Sequence, residues 1–287
     1  MKELVIISGK GGTGKTSVTA SFAHLAESPV LADCDVDAAD LHILTAPAIQ
    51  LDEEFRGGVK AEINRELCTE CGACTAACRY DAITDDFTVD PVACEGCGVC
   101  FHVCPAEAVT LREGINGRWY ISNTRFGPMV HAALLPGEEN SGKLVALVRN
   151  QAKVLAEKEG RDLILVDGAP GVGCPVISSV TGADHVLVIT EPTLSGAHDL
   201  ERALQLVRGF NIPVCAVINK ADINEEMTAE IEAKLKNYDA PLLGTIPYDP
   251  SVTTAMVNRK AVVENGDGPA KDALLEIWER VRDRLTT

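Results

Sequence analysis

Short aliphatic runs ending in a polar residue, each followed by a turn former, recur at Leu4–Ser8, Val30–Asp33, Leu163–Asp167, Val186–Thr190, Val214–Asn219 and Leu242–Pro247. Strands buried on both faces of a parallel sheet read this way, as aliphatic stretches without polar alternation. Between the runs, apolar residues fall at helical spacing over Thr16–Ala26, Leu144–Glu157, Ala197–Arg208, Glu225–Leu235 and Ala270–Leu285. Strands alternating with helices predict an α/β fold, a doubly wound and mainly parallel sheet.

One interval breaks the alternation. A strand–helix–strand crossover takes about 30 residues, yet residues 34–162 separate the second predicted strand from the third. The excess reads as an inserted small α+β domain at 57–125, leaving 1–56 and 126–287 as one discontinuous domain. The chain enters it through Arg56-Gly57-Gly58 and leaves near Gly114-Ile115-Asn116-Gly117, whose residue types suit a hairpin. The insertion repeats itself: Cys68-Thr-Glu-Cys71-Gly-Ala-Cys74-Thr-Ala-Ala-Cys78 returns, at a constant offset of 26, as Cys94-Glu-Gly-Cys97-Gly-Val-Cys100-Phe-His-Val-Cys104. Two similar halves predict a pseudo-twofold unit with two equivalent sites.

Composition narrows the partners. A 46% hydrophobic, 24% charged chain has the makings of a core, and with 4% aromatics that core is aliphatic. The formal net charge of −16 excludes nucleic acid and anionic lipid as natural partners, since no basic patch reverses the field. Met1-Lys2-Glu3-Leu4 leads directly into the first strand, unlike a signal peptide, and no apolar run approaches the ~18 residues of a membrane span. Eleven cysteines at metal-ligand rather than disulfide spacings fit reducing cytoplasm.

Ser8-Gly9-Lys10-Gly11-Gly12-Thr13-Gly14-Lys15-Thr16-Ser17 follows the first strand and opens the first helix, as a phosphate-binding loop does. Its glycines let backbone N–H groups turn toward phosphate oxygens, and the helix N-terminus adds its positive end. Lys15 is placed to reach the β/γ-phosphates and the Thr16 hydroxyl to ligate Mg²⁺. With its second lysine the loop resembles the deviant Walker A of the MinD/ParA/nitrogenase-iron-protein superfamily. That resemblance implies an ATPase that dimerises around ATP, with Lys10 reaching the partner's nucleotide, in a homodimer or with a paralogue. It extends to Asp33-Cys34-Asp35-Val36-Asp37, where it implies that Asp35 positions or activates the attacking water, and that Asp33 or Asp37, and Asp35 as well, support Mg²⁺ through water. On a strand, Asp33 and Asp35 share a side and Cys34 faces the other. It extends also to Leu163-Ile-Leu-Val-Asp167-Gly168, where Asp167 joins the metal shell and Gly168 offers an N–H to the γ-phosphate. Asn219-Lys220-Ala221-Asp222 stands at the base-reading position. It also matches the guanine-reading pattern of GTPases, so ATP is preferred and GTP stays open; Pro247-Tyr248-Asp249 resembles a second base-contacting loop.

The doubled Cys-x₂-Cys-x₂-Cys-x₃-Cys run resembles bacterial ferredoxins that hold two [4Fe–4S] clusters, the fourth cysteine of each run crossing to the other cluster. The resemblance implies one cluster on Cys68, Cys71, Cys74 and Cys104 and another on Cys94, Cys97, Cys100 and Cys78; zinc is the alternative for such pairs. Arg79 stands where proline usually follows Cys78. Two oxidised clusters, each about −2 with its thiolates, make the loaded chain about −20. Cys34 and Cys215 read as core residues, and Cys174, just past Asp167, as a structural or redox-active thiol more than a shared interfacial ligand. His102 reads as a bystander, and the C-terminal amphipathic helix as closing the domain rather than anchoring it to a membrane.

Three functions follow as expectations. The first is ATP-gated electron transfer through the clusters to a protein partner, the second an iron–sulfur or metallocofactor assembly or carrier ATPase, and the third a ParA-like positioning ATPase with structural clusters.

Overall fold

The aliphatic runs become the centre of a large sheet because each is buried on both faces. The strands are β1 (Lys2–Ser8), β2 (Val30–Asp33), β3 (Ala48–Phe55), β4 (Val59–Ile63), β5 (Val109–Glu113), β6 (Gly117–Asn123), β7 (Pro128–Leu134), β8 (Leu163–Pro170), β9 (His185–Thr190), β10 (Val214–Asn219) and β11 (Leu242–Ile246). In this computed structural model, which describes residues 1–138 and 141–286, nine of them form one sheet ordered β11-β10-β9-β1-β8-β2-β7-β6-β3. Every pair from β11 to β7 is parallel. Strand order turns around beside β1, so the loops after β1 and β8 open into a common crevice at the carboxyl ends, where α/β sheets bind ligands.

The chain divides into two compact units: Met1–Asp52 with Trp119–Ala133 and the chain from Ser141, and Glu53–Arg118 with a short stretch from Leu134. In the first unit, the helix Lys15–Leu25 and the helix Pro269–Thr286 pack on one face of the sheet, Phe22 meeting Trp278 at 5.0 Å between ring centroids. The C-terminal helix buries Leu274, Ile277, Trp278, Val281 and Leu285 in that core, so its apolar face closes the domain. No described helix is long and apolar enough to cross a membrane. On the other face, Arg149 of the helix Ser141–Glu159 forms a buried two-pronged pair with Glu3 of β1, at 2.8 and 2.6 Å.

The second unit pairs β4 with β5 antiparallel, Val59 opposite Glu113 through Ile63 opposite Val109. Two five-residue helices, Ala73–Ala77 and Val99–Val103, carry the cysteine repeat into the backbone. Gly72 and Gly98 precede them in the same left-handed conformation, φ 76° and 75°, and Cys78 and Cys104 follow them at φ −75° and −78°. The unit's core is small, centred on Ala61, Ala82, Cys94 and Val109.

The structure departs from the sequence-based expectation in the long interval. β7 lies within it and pairs parallel to β2, Leu31 opposite Met129 and Asp33 opposite His131, so residues 34–127 are the crossover. Gly114–Gly117 does not turn a hairpin: β5 bonds to β4, whereas β6 enters the large sheet between β7 and β3. Residues 119–125, placed in the insertion by the sequence, accordingly fall in the first unit, and 53–56 in the second.

Candidate functional site

The phosphate loop leaves β1 at Ser8 and enters the helix at Lys15. Gly12 and Gly14 adopt φ +79° and +93°, left-handed geometry that glycine reaches without strain. A Cβ at Gly14 would stand 2.4 Å from Asn219 Nδ2, so any larger residue there must displace the Asn219 amide as well as take the left-handed backbone. Asn219 in turn donates from Nδ2 to the Thr13 carbonyl at 2.8 Å, tying the end of β10 to the loop.

Asp167 is fully buried on β8 and gathers three donors: Lys15 Nζ at 2.8 Å, Thr16 Oγ1 at 2.7 Å and Thr19 Oγ1 at 3.0 Å. Lys15 also lies 3.5 Å from Asp35. Burial pulls the Lys15 ammonium down, but Asp167 and Asp35 outweigh it and the net direction is up, so the lysine stays charged. Burial pushes the Asp35 carboxyl up by more than Lys15 pulls it down, which makes Asp35 a stronger base than an ordinary aspartate.

Asp33, Asp35 and Asp37 do different things. β2 ends at Asp33, so Asp35 and Asp37 sit on the following loop rather than on one strand face. Asp33 is completely buried and accepts from the Asp35 and Leu41 amides, both at 3.2 Å. Burial and the neighbouring Asp167 push its carboxyl well up. Cys34, equally buried, donates its backbone N–H to the Asp167 carbonyl at 2.8 Å.

A cavity of about 470 Å³ opens over this constellation, within the range of nucleotide-sized pockets. Ser8, Gly11, Gly12, Gly14, Lys15, Thr16, Ser17, Asp35 and Asp37 line it. Asp33, Gly168, Asn219, Lys220, Asp222 and Pro247 stand outside that lining. Asp222 accepts the Tyr248 N–H at 2.6 Å, joining the Asn219-Lys220-Ala221-Asp222 loop to the one carrying Pro247. Gly168 is pressed against β1, where a Cβ would meet Ile7 at 2.8 Å. Lys10 points away from the cavity to Glu191, 2.6 Å distant. Asp40, Ile43 and Met256 also line the cavity; nothing in the sequence distinguished them, because their contribution comes from short elements without a motif.

Two smaller cavities lie in the second unit. One is lined by Cys94, Cys97, Cys100 and Cys78, the other by Cys68, Cys71, Cys74 and Cys104, each with apolar neighbours. They are narrow, about 20 and about 10 Å³ against about 470 Å³ for the first cavity. In both, the fourth cysteine comes from the other repeat. All eleven cysteines are free thiols, and among the described residues no three His, Cys, Asp or Glu side chains converge on one ion's position. Thr13 Oγ1 in the phosphate loop and Thr75 Oγ1 on the cysteine helix are buried without a protein partner. Cys174 is exposed at the start of the helix Cys174–Val180, while Cys34 and Cys215 are buried in the core.

Known proteins share the nucleotide-binding part of this plan. A model of the CobQ/CobB/MinD/ParA nucleotide binding domain matches residues 4–262. An uncharacterized protein of Methanocaldococcus jannaschii is 34% identical over 284 residues, covering 98% of this chain and 96% of its own. The iron-sulfur cluster carrier protein of Pyrococcus furiosus is 28% identical over 138 residues, 43% of this chain and 46% of the carrier. In structure, the septum site-determining protein MinD from Pyrococcus horikoshii, complexed with Mg-ADP, superimposes with a TM-score of 0.60 at 19% identity, covering 98% of this chain and 95% of that one. A match over nearly the whole phosphate-loop domain places the chain in the CobQ/CobB/MinD/ParA nucleotide-binding family.

Proposed function

We propose that this protein is an ATP-hydrolysing iron–sulfur protein in which nucleotide-driven dimer closure governs electron delivery through two [4Fe–4S] clusters to a protein partner in the cytoplasm. The observation carrying the proposal is the pair of cavities, each walled by four thiols drawn from both repeats, in the same chain as a complete phosphate loop. The inserted unit is then a ferredoxin-like domain. Four thiols per site at the doubled Cys-x₂-Cys-x₂-Cys-x₃-Cys spacing, with the fourth crossing between repeats, suit a cubane better than a single zinc. The unit's small core and absence of disulfides fit the same reading, because a chain of that size needs a staple.

When bound, the clusters supply one-electron chemistry. The protein's own residues do the rest. Lys15 and the backbone amides of Gly11–Thr16 bind the phosphates, Thr16 holds Mg²⁺ with Asp167 behind it, and Asp35 accepts the proton of the attacking water. Exposed Ile43 and Met256 on the cavity rim offer apolar surface to a second copy, to whose nucleotide Lys10 contributes.

The likeness to an iron-sulfur cluster carrier supports a second reading, in which the clusters are cargo. Anaerobic EPR of the reduced protein with and without Mg-ATP, alongside ATPase assays in both redox states, tests the first. ATP that changes neither the cluster signals nor the rate of electron delivery would refute it. Transfer of ⁵⁵Fe to an apo-ferredoxin at a rate set by ATP would establish the second.

A further inference from the structure

Lys10 is not free in this structure. Its ammonium lies 2.6 Å from Glu191 Oε1 and donates to Ser195 Oγ at 3.1 Å and Thr193 Oγ1 at 3.4 Å. Thr193 and Ser195 belong to the start of the helix Leu194–Gly209, where Thr193 caps the Gly196 N–H at 2.9 Å. A helix N-terminus is the electropositive end, a poor place for an ammonium. The Glu191 carboxylate supplies the countercharge that makes the berth favourable. Glu191 also binds a second cation, Lys220 of the base-side loop, through Oε2 at 3.1 Å. Burial pushes the Glu191 carboxyl up, but the bonds from Lys10 and Lys220 outweigh it and hold it ionised.

We propose that Glu191 is a positioning residue that latches Lys10 within its own protomer and, by sharing its carboxylate with Lys220, links release of the latch to the base-side loop. This rests on the sandwich-dimer reading above. Lys10 serves a second copy's nucleotide only after leaving Glu191, so the latch opposes dimer closure. A nucleotide base that draws Lys220 toward itself changes the charge balance at Glu191, and Lys220 and Lys10 respond together because one carboxylate serves both.

The sign is testable. Glu191→Gln keeps the shape and removes the charge, leaving the Lys10 ammonium facing a helix N-terminus. A partly exposed ion pair is worth about two- to fivefold in an equilibrium. Both protomers must unlatch, so the factor enters twice: the variant's dimer should be about four- to twenty-five-fold tighter than wild type. Sedimentation velocity of the full-length, cluster-loaded chain with Mg-AMPPNP reads this directly. The gap between variant and wild type should narrow as salt rises from low to about 0.5 M, because salt already loosens the wild-type latch; a merely structural role for Glu191 gives no such convergence. Unchanged or weaker dimerisation of Glu191→Gln, with Lys10→Ala unable to dimerise, overturns the latch and leaves the sandwich dimer standing. If wild type, Glu191→Gln and Lys10→Ala all stay monomeric, the sandwich dimer fails and the latch with it.

Discussion

Replacing Cys71 and Cys104 together by alanine removes two thiols from one cavity, whereas replacing Cys71 and Cys78 removes one thiol from each. Sequence position suggests the opposite grouping, since Cys71 and Cys78 share a repeat and Cys104 ends the other. With two [4Fe–4S] clusters the wild-type chain holds about eight irons. The Cys71/Cys104 pair should keep about four, because Cys94, Cys97, Cys100 and Cys78 remain intact. The Cys71/Cys78 pair damages both sets and should fall toward zero. The two doubles thus differ by a whole cluster although each lacks two cysteines. Anaerobic reconstitution, iron and sulfide analysis and absorbance near 400 nm measure this. Retention of about four irons by Cys71/Cys78 with near-complete loss from Cys71/Cys104 would refute the crossed sets. One zinc per four thiols in the wild type would refute the clusters themselves.

Gly14→Ala should destabilise the first unit by about 2–3 kcal/mol in urea titrations, combining left-handed strain with loss of the Asn219 bond to the Thr13 carbonyl; a wild-type midpoint would show that Asn219 yields without cost. Lys15→Ala should weaken binding of a fluorescent ATP analogue by about 10- to 100-fold, the worth of a lost charge-assisted contact. Lys10→Ala, whose amine lies outside the cavity on Glu191, should bind within about threefold of wild type yet hydrolyse slowly; equal losses in the two variants would count against separate roles. Burial lowers the His131 imidazole to about 4 from 6.5, so between those values the unfolded chain binds the proton and the native state does not. Stability from this group is complete above pH 6.5 and is lost as pH falls, by about 1.4 kcal/mol at pH 5.5. His131→Gln, which keeps a partner for Ser122, should flatten that slope, and an unchanged slope in urea titrations across pH 5–7 would assign it elsewhere.

The parts of the fold legible in the sequence are those whose strands are buried on both faces. β1, β2, β8, β9, β10 and β11 announce themselves as aliphatic runs. β3 does not, because its Gln50-Leu-Asp-Glu-Glu54 face is largely exposed at the sheet edge, where charge is how edges avoid further pairing. β7 hides because His131, buried beside Ser122 at 2.9 Å, interrupts its apolar run. In the site, the phosphate loop and the cysteine runs stand out in the sequence because each follows a fixed spacing. The division of labour among Asp33, Asp35 and Asp37 is not, because it depends on where β2 stops. Glu191 carries no motif; its one signal is an acid directly after a buried strand at the sheet's carboxyl edge.

The β2–β7 crossover sets an order of events in synthesis. Closing a connection of residues 34–127 instead of one of about 30 costs only about 1 kcal/mol in chain entropy, since the penalty grows with the logarithm of length. A long tenant in that loop is therefore cheap for the sheet to carry. It is also early: the cysteine unit emerges from the ribosome before β8–β11 exist, and chains grow by only about 5–20 residues per second. For several seconds the nascent protein displays both sets of thiols while Asp167, which holds Lys15 and Thr16 of the phosphate loop, has not yet been made. If the thiols take up iron as proposed, metal loading and completion of the nucleotide site are separated in time by chain order alone.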